Sequence, residues 1–93
     1  MGKFMCVHPV GSNMDPDAAA PLARAIKANS TTDAYWIRSW YAPEEGKFYC
    51  EWDAKDADAV RKVHAAAVAQ AGMPFPLDAV VPIAMAFDGE AYR

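Results

Sequence analysis

The chain has 93 residues, 54% hydrophobic and 23% charged, with a formal net charge of -3, a composition that suits one globular domain over 1–93 with one core and no second unit. No apolar run approaches the ~20 residues a membrane-spanning helix needs, and the mixed, slightly acidic charge offers no electrostatic footprint for nucleic acid. The opening MGKFMCVHPV has neither the long apolar segment nor the small-residue cleavage site of a secretory signal, and Cys6 stands where a myristoylation signal needs Ser or Thr, so the expected location is cytoplasmic, with Cys6 and Cys50 as free thiols.

Lys3 to His8 is apolar on alternate and intervening positions, as a central strand would be. Gly11, Ser12 and Asn13 break it. From Asp15-Pro16-Asp17 the signals turn helical: a capping Asp, a Pro in the first turn, and Ala19, Leu22, Ala23 and Ile26 on one stripe. Pro21 within that stretch implies either a kink or a start later than Asp15.

Ala34 to Tyr41 is rich in aromatic and β-branched residues and reads as a strand; Pro43-Glu44-Glu45-Gly46 is a turn, and Lys47 to Trp52 completes a hairpin. A continuous register through that turn opposes Tyr41 to Phe48, Ser39 to Cys50 and Ile37 to Trp52 on one face. On the other it opposes Trp40 to Tyr49 and Arg38 to Glu51, joining opposite charges and stacking aromatics. A helix follows, capped by Asp53 or Asp56, with Val60, Val63, His64, Ala67, Val68 and Ala71 inward and Gly72 as its stop. Val80 to Ala86 is the last strand, and Pro82 within it requires a sheet edge.

The order β-α-β-β-α-β predicts an α+β, ferredoxin-like sandwich: a four-stranded antiparallel sheet in spatial order 4-1-3-2 with both helices on one face. Two helices cover only one face, and Trp36, Trp40 and Tyr49, with Arg38 and Glu51, are assigned to the other. Such an aromatic patch points to a ligand or a homodimer or larger oligomer, unless the segment carrying Phe87 and Tyr92 folds over it.

Any imidazole chemistry must use His8 or His64, since the chain has no other His. Cys6-x-His8 places both side chains on one strand face. Together with His64 and Cys50 they form a candidate metal set, and imidazole with thiolate favours Ni, Cu or Zn over Mg or Ca. Each has an ordinary alternative, a hydrogen-bonded half-buried His or a core Cys. No glycine-rich phosphate loop, nucleophile elbow or zinc-protease helix is present, and no organic cofactor is indicated.

The segments FMCVHPV, WIRSWYAPEEGKFYCEWDA, DAVRKVH and AGMPFPLDAV resemble a family of small bacterial ferredoxin-like proteins whose described member is a nickel-binding dimer. The resemblance covers most of the chain, with the hairpin as its most specific part, and implies the ferredoxin-like fold, self-association and divalent metal binding. By position it places the family's first-strand His at His8, its WxxS pattern at Trp36 and Ser39, its hairpin Cys at Cys50 and its second-helix His at His64. Pro9 follows His8 where the family usually carries an acidic residue, which removes a hard oxygen ligand.

Two functional readings result. One is a small dimeric metal-binding protein for nickel or a similar divalent transition metal, whose binding fades as pH falls through roughly 6, the reference His value. The other is a cofactor-free dimeric α+β barrel enzyme, of isomerase, cyclase or monooxygenase type, with an apolar substrate in a cleft and His8 or His64 as base.

Overall fold

The computed structural model describes all 93 residues. Strand β1 (Gly2–Pro9) leads to helix α1 (Pro16–Asn29), the hairpin β2 (Ala34–Ala42) and β3 (Lys47–Ala54), helix α2 (Ala57–Ala71), strand β4 (Ala79–Ile83) and a short 3-10 turn at Gly89–Tyr92. The strands order β2-β3-β1-β4, every neighbour antiparallel. This is the expected ferredoxin-like sheet. β4 lies at an edge beside β1, so Pro82, opposite Phe4, withholds no hydrogen bond from an interior ladder. It ends at Ile83, three residues before the expected Ala86, because Ile83 pairs with Lys3 and its partner β1 begins at Gly2, one residue further on.

Local chemistry fixes the helix boundaries. The Asp15 carboxylate accepts from Asp17 N at 3.0 Å, and Pro16 occupies the first turn, where its missing N–H costs nothing. The helix therefore starts at Pro16 and carries Pro21 inside it; the later start is excluded. Pro21 is exposed, which leaves the bypassed carbonyl of Asp17 within reach of water. For α2 the cap is Asp56, whose carboxylate accepts from Ala59 N at 2.8 Å. Asp53 remains in β3. Gly72 ends the helix in the left-handed region at φ 67, which an L side chain rarely adopts.

The hairpin register is the expected one from Ala42↔Lys47 to Arg38↔Glu51, and then it breaks. Trp36, not Ile37, pairs with Trp52, because Ile37 is the extra residue of a β-bulge. The bulge turns Trp36 to the helix-covered face. Polar partners take up the main chain there: Trp36 N donates to Ser30 Oγ at 3.3 Å, and Lys27 Nζ donates to Trp36 O at 2.6 Å.

Both helices pack on the same face, where Leu22, Ala25 and Ile26 of α1 and Ala59, Val60, Val63 and Ala67 of α2 bury against Cys6, Cys50 and Trp52 of the sheet. Asn29 ties the helices together by donating to Gln70 Oε1 at 2.8 Å. The opposite face is uncovered. Phe87 and Tyr92 stay outside at 74% and 73% exposure, their rings tilted toward each other with centroids 6.5 Å apart, so the segment after β4 does not fold over it.

Candidate functional site

Alternation along β1 points Phe4, Cys6 and His8 toward the helices. His8 is the one buried polar residue of the chain, at 2% exposure. His64 comes from α2, one turn beyond Val60, and is half-buried. Between them runs the connection after Gly72, where Phe75 is buried and Asp78 N donates to Val7 O at 2.9 Å.

Two successive carbonyls of that connection hold the two rings. His8 Nδ1 lies 3.0 Å from Pro76 O, and His64 Nε2 lies 2.7 Å from Phe75 O. A carbonyl only accepts, so each contacting nitrogen carries the proton. The free lone pairs are then at Nε2 of His8 and Nδ1 of His64. Phe75 stacks on His8 with centroids 3.8 Å apart, and the imidazoles themselves stack at 5.6 Å and 24°. Burial pulls the His8 pKa down to about 4, against the Pro76 carbonyl, which favours a protonated ring. His8 is neutral through the physiological range. The fade of binding near pH 6 expected from the reference value therefore does not apply to His8, whose lone pair stays available down to about 4.

Cys6 and Cys50 face each other across β1 and β3, both buried and both free. Burial raises the Cys6 thiol to about 12 and the Cys50 thiol to about 11, so neither is a thiolate at neutral pH. Cys50 accepts from Ser39 Oγ at 3.0 Å, and that hydroxyl accepts from Trp36 Nε1 at 2.8 Å. The hydrogen-bonded row of indole, hydroxyl and thiol exists because the bulge brings Trp36 to this face. Trp36 thus leaves the open aromatic patch to which sequence alternation assigns it.

On the open face, Glu51 sits between two cations: Lys3 Nζ at 2.7 Å and Arg38 Nε at 3.2 Å. Lys3 also reaches Asp53 at 2.8 Å, and hydrogen bonds to Asp53 and Glu51 raise its pKa. The Arg38–Glu51 pair follows from the hairpin register. Lys3 does not, because the β1–β3 pairing that opposes Lys3 to Asp53 joins segments distant in sequence. Trp40 is 47% exposed beside these charges, with the Arg38 guanidinium 6.0 Å from its ring. Tyr49 donates to Glu45 at 2.6 Å, a bond that raises the phenol's pKa.

The fit to a metal can be judged from these donors. Two imidazoles, each with its N–H fixed by a carbonyl and the other nitrogen free, have the outer-shell arrangement usual for metal-ligating His. The thiols do not fit as they stand, being protonated and desolvated. No group of three or more His, Cys, Asp or Glu side chains is placed to hold a metal ion, so the chain by itself presents no assembled metal site. One cavity, of about 310 Å³, is lined by Pro74, Phe75 and Pro76 of the connection that holds the rings. An apolar groove of about 320 Å³ runs beside α1, lined by Met14, Ala19, Tyr41 and Phe48 among others, and a polar cleft of about 400 Å³ lies by the start of α2. Neither His lines a cavity, which gives no support to a His base acting in a cleft. Sequence reasoning missed the Phe75 and Pro76 carbonyls; the run Pro74-Phe75-Pro76 was the available signal, since prolines stiffen a connection.

Fold and site together define a small α+β sandwich with a carbonyl-held imidazole pair in its helix-covered layer. The chain belongs to the SCO4226-like family, described as nickel responsive protein SCO4226-like, whose model matches residues 4–83. Among solved structures it is similar to the crystal structure of SCO4226 from Streptomyces coelicolor A3(2), with a TM-score of 0.65 and 20% identity over 91% of this chain and 99% of that one. At that identity the likeness shows the fold. None of the curated proteins compared with the chain matches it. No helix is long and apolar enough to cross a membrane.

Proposed function

We propose that this protein is a small cytoplasmic binder of a divalent transition metal, nickel or one of similar ligand preference such as copper or zinc, and that it works as a homodimer. The observation that carries the reading is the His8–His64 pair: both N–H groups are taken by the adjacent Phe75 and Pro76 carbonyls, which leaves one free lone pair on each ring. Membership of a nickel-responsive family supports it. Imidazole suits Ni, Cu and Zn. With only two ligands on one chain, the remaining positions fall to water or to groups of a second copy. Such a site serves sequestration or sensing, in which binding itself is the output. Self-association draws its support from the open sheet face, where Tyr35, Trp40 and Val81 are exposed.

The test is calorimetric titration of tag-free protein with nickel, copper and zinc, in wild type, His8→Ala and His64→Ala. The reading expects near-stoichiometric binding in wild type and a loss of at least tenfold in each variant. Circular dichroism on the same samples separates lost ligation from lost folding. Absence of metal-dependent heat in wild type overturns it.

A further inference from the structure

The inward stripe of α1 begins with residues too small to fill the space they face. Ala19 and Ala23, one helical turn apart, stay half-buried, whereas Leu22, Ala25 and Ile26 beside them are buried. Tyr41 and Phe48 share the groove of about 320 Å³ with these alanines and are half-buried in turn. The cavity of about 310 Å³ at Pro74, Phe75 and Pro76 meets the same side of α1 at Met14 and Ala19. A narrow recess of about 50 Å³ also contains Met14 and Ala19, together with Phe48, Phe75 and Trp36. Met14 and Ala19 are thus a wall common to all three spaces, and the two larger ones reach the lower end of the size range of small-molecule sites.

One charged residue lines this run of apolar walls, and it is Asp15. Its Oδ1 caps α1 by accepting from Asp17 N at 3.0 Å, which leaves Oδ2 for another donor. Asp15 belongs to none of the ion pairs of the chain. With Asp17 in the first turn, two negative charges stand at a helix start whose own positive end amounts to about half a charge.

We infer that the groove between the start of α1 and the sheet binds a small hydrophobic amine, its apolar body along Met14 and Ala19 and its ammonium at the Asp15 carboxylate. Aromatic and aliphatic walls with one orienting polar group are the usual make-up of a small-molecule site. The uncompensated anion selects the sign of the ligand's charge: a carboxylate of the same shape is repelled, and a neutral match gains the apolar contacts alone. The site does not depend on the metal reading, because neither imidazole lines it.

The test is titration of the full-length, nitrogen-15-labelled chain with 2-phenylethylamine, 2-phenylethanol and 3-phenylpropionate at neutral pH, followed by proton–nitrogen correlation spectra. The amine should shift the amides of Met14, Ala19 and Phe48 saturably and bind about threefold more tightly than the alcohol, with the carboxylate weakest. Asp15→Asn keeps a capping side chain and should erase the amine's advantage while the alcohol binds as before. Ala19→Leu should fill the groove and weaken amine and alcohol by about tenfold, and Ala23→Leu repeats the test should that variant fail to fold. Absence of saturable shifts at Met14 and Ala19 overturns the site. Equal affinity for the three compounds, or an amine preference that survives Asp15→Asn, overturns the assignment of an amine. Binding seen only when light scattering shows a dimer dissociating gives the groove to a second copy and likewise overturns the inference.

Discussion

The two faces of one sheet treat ionisable groups in opposite ways. Beneath the helices, burial pulls His8 down to about 4 and pushes Cys6 and Cys50 up to about 12 and 11, so all three are neutral. On the open face Lys3, Arg38, Glu51 and Asp53 form ion pairs at 2.7 to 3.2 Å. Lys3 and Cys6 of the same strand β1 thus obey different electrostatics because successive side chains point to opposite faces, and an odd spacing puts these two on different ones. A neutral imidazole in a dry layer is ready to ligate a metal, and an ion row on a wet face is suited to register and to contact with other molecules.

The contrast breaks most sharply at Phe75. Its ring fills the space beside both imidazoles, and Phe75→Ala should destabilise the fold by about 3–5 kcal/mol in urea unfolding, the usual cost of emptying an aromatic core site. It should also release both imidazoles from their carbonyls. A change below about 1 kcal/mol would mean that the connection is not packed as described.

The pH dependence of stability sharpens it next. The folded His8 pKa of about 4 lies below the ordinary 6.5, so between those values the unfolded chain binds more protons. The associated stability is fully present above 6.5 and is lost as pH falls through 4, about 3 kcal/mol in all. Thermal melts from pH 7 to 4 should show that loss, and His8→Gln should flatten it.

How much of this was legible in the sequence divides along the same line. Element order, caps and most of the hairpin follow from periodicity and turn chemistry, which act over a few residues. The bulge at Ile37 did not, because its cause is tertiary: Ser30 and Lys27 of the α1 end take up the main chain of Trp36. Strict alternation therefore sends Trp36 to the wrong face. The resemblance singled out Trp36, Ser39 and Cys50, but their hydrogen-bonded row depends on that same bulge. His8 and His64 were visible as the only imidazoles; that adjacent carbonyls would hold them depends on where Phe75 and Pro76 pack.

Ser39→Ala probes the row at smaller scale. It leaves Trp36 Nε1 without its partner, and should cost about 1–2 kcal/mol. On the open face Glu51→Gln removes the anion shared by Lys3 and Arg38, yet in water-screened surroundings the loss should stay near or below 1 kcal/mol and shrink further at high salt. A larger loss for Glu51→Gln than for Phe75→Ala would reverse the proposed difference between the faces.

Long-range proton–nitrogen correlation spectra of the imidazoles, recorded at neutral pH before and after one equivalent of zinc, test the central claim most directly. Without metal, His8 should appear neutral and protonated at Nδ1, and His64 should carry a proton at Nε2. With zinc, the resonances of His8 Nε2 and His64 Nδ1 should move together while the two carbonyl-bound protons persist. Unchanged nitrogen resonances on both rings would contradict the imidazole pair as a metal site.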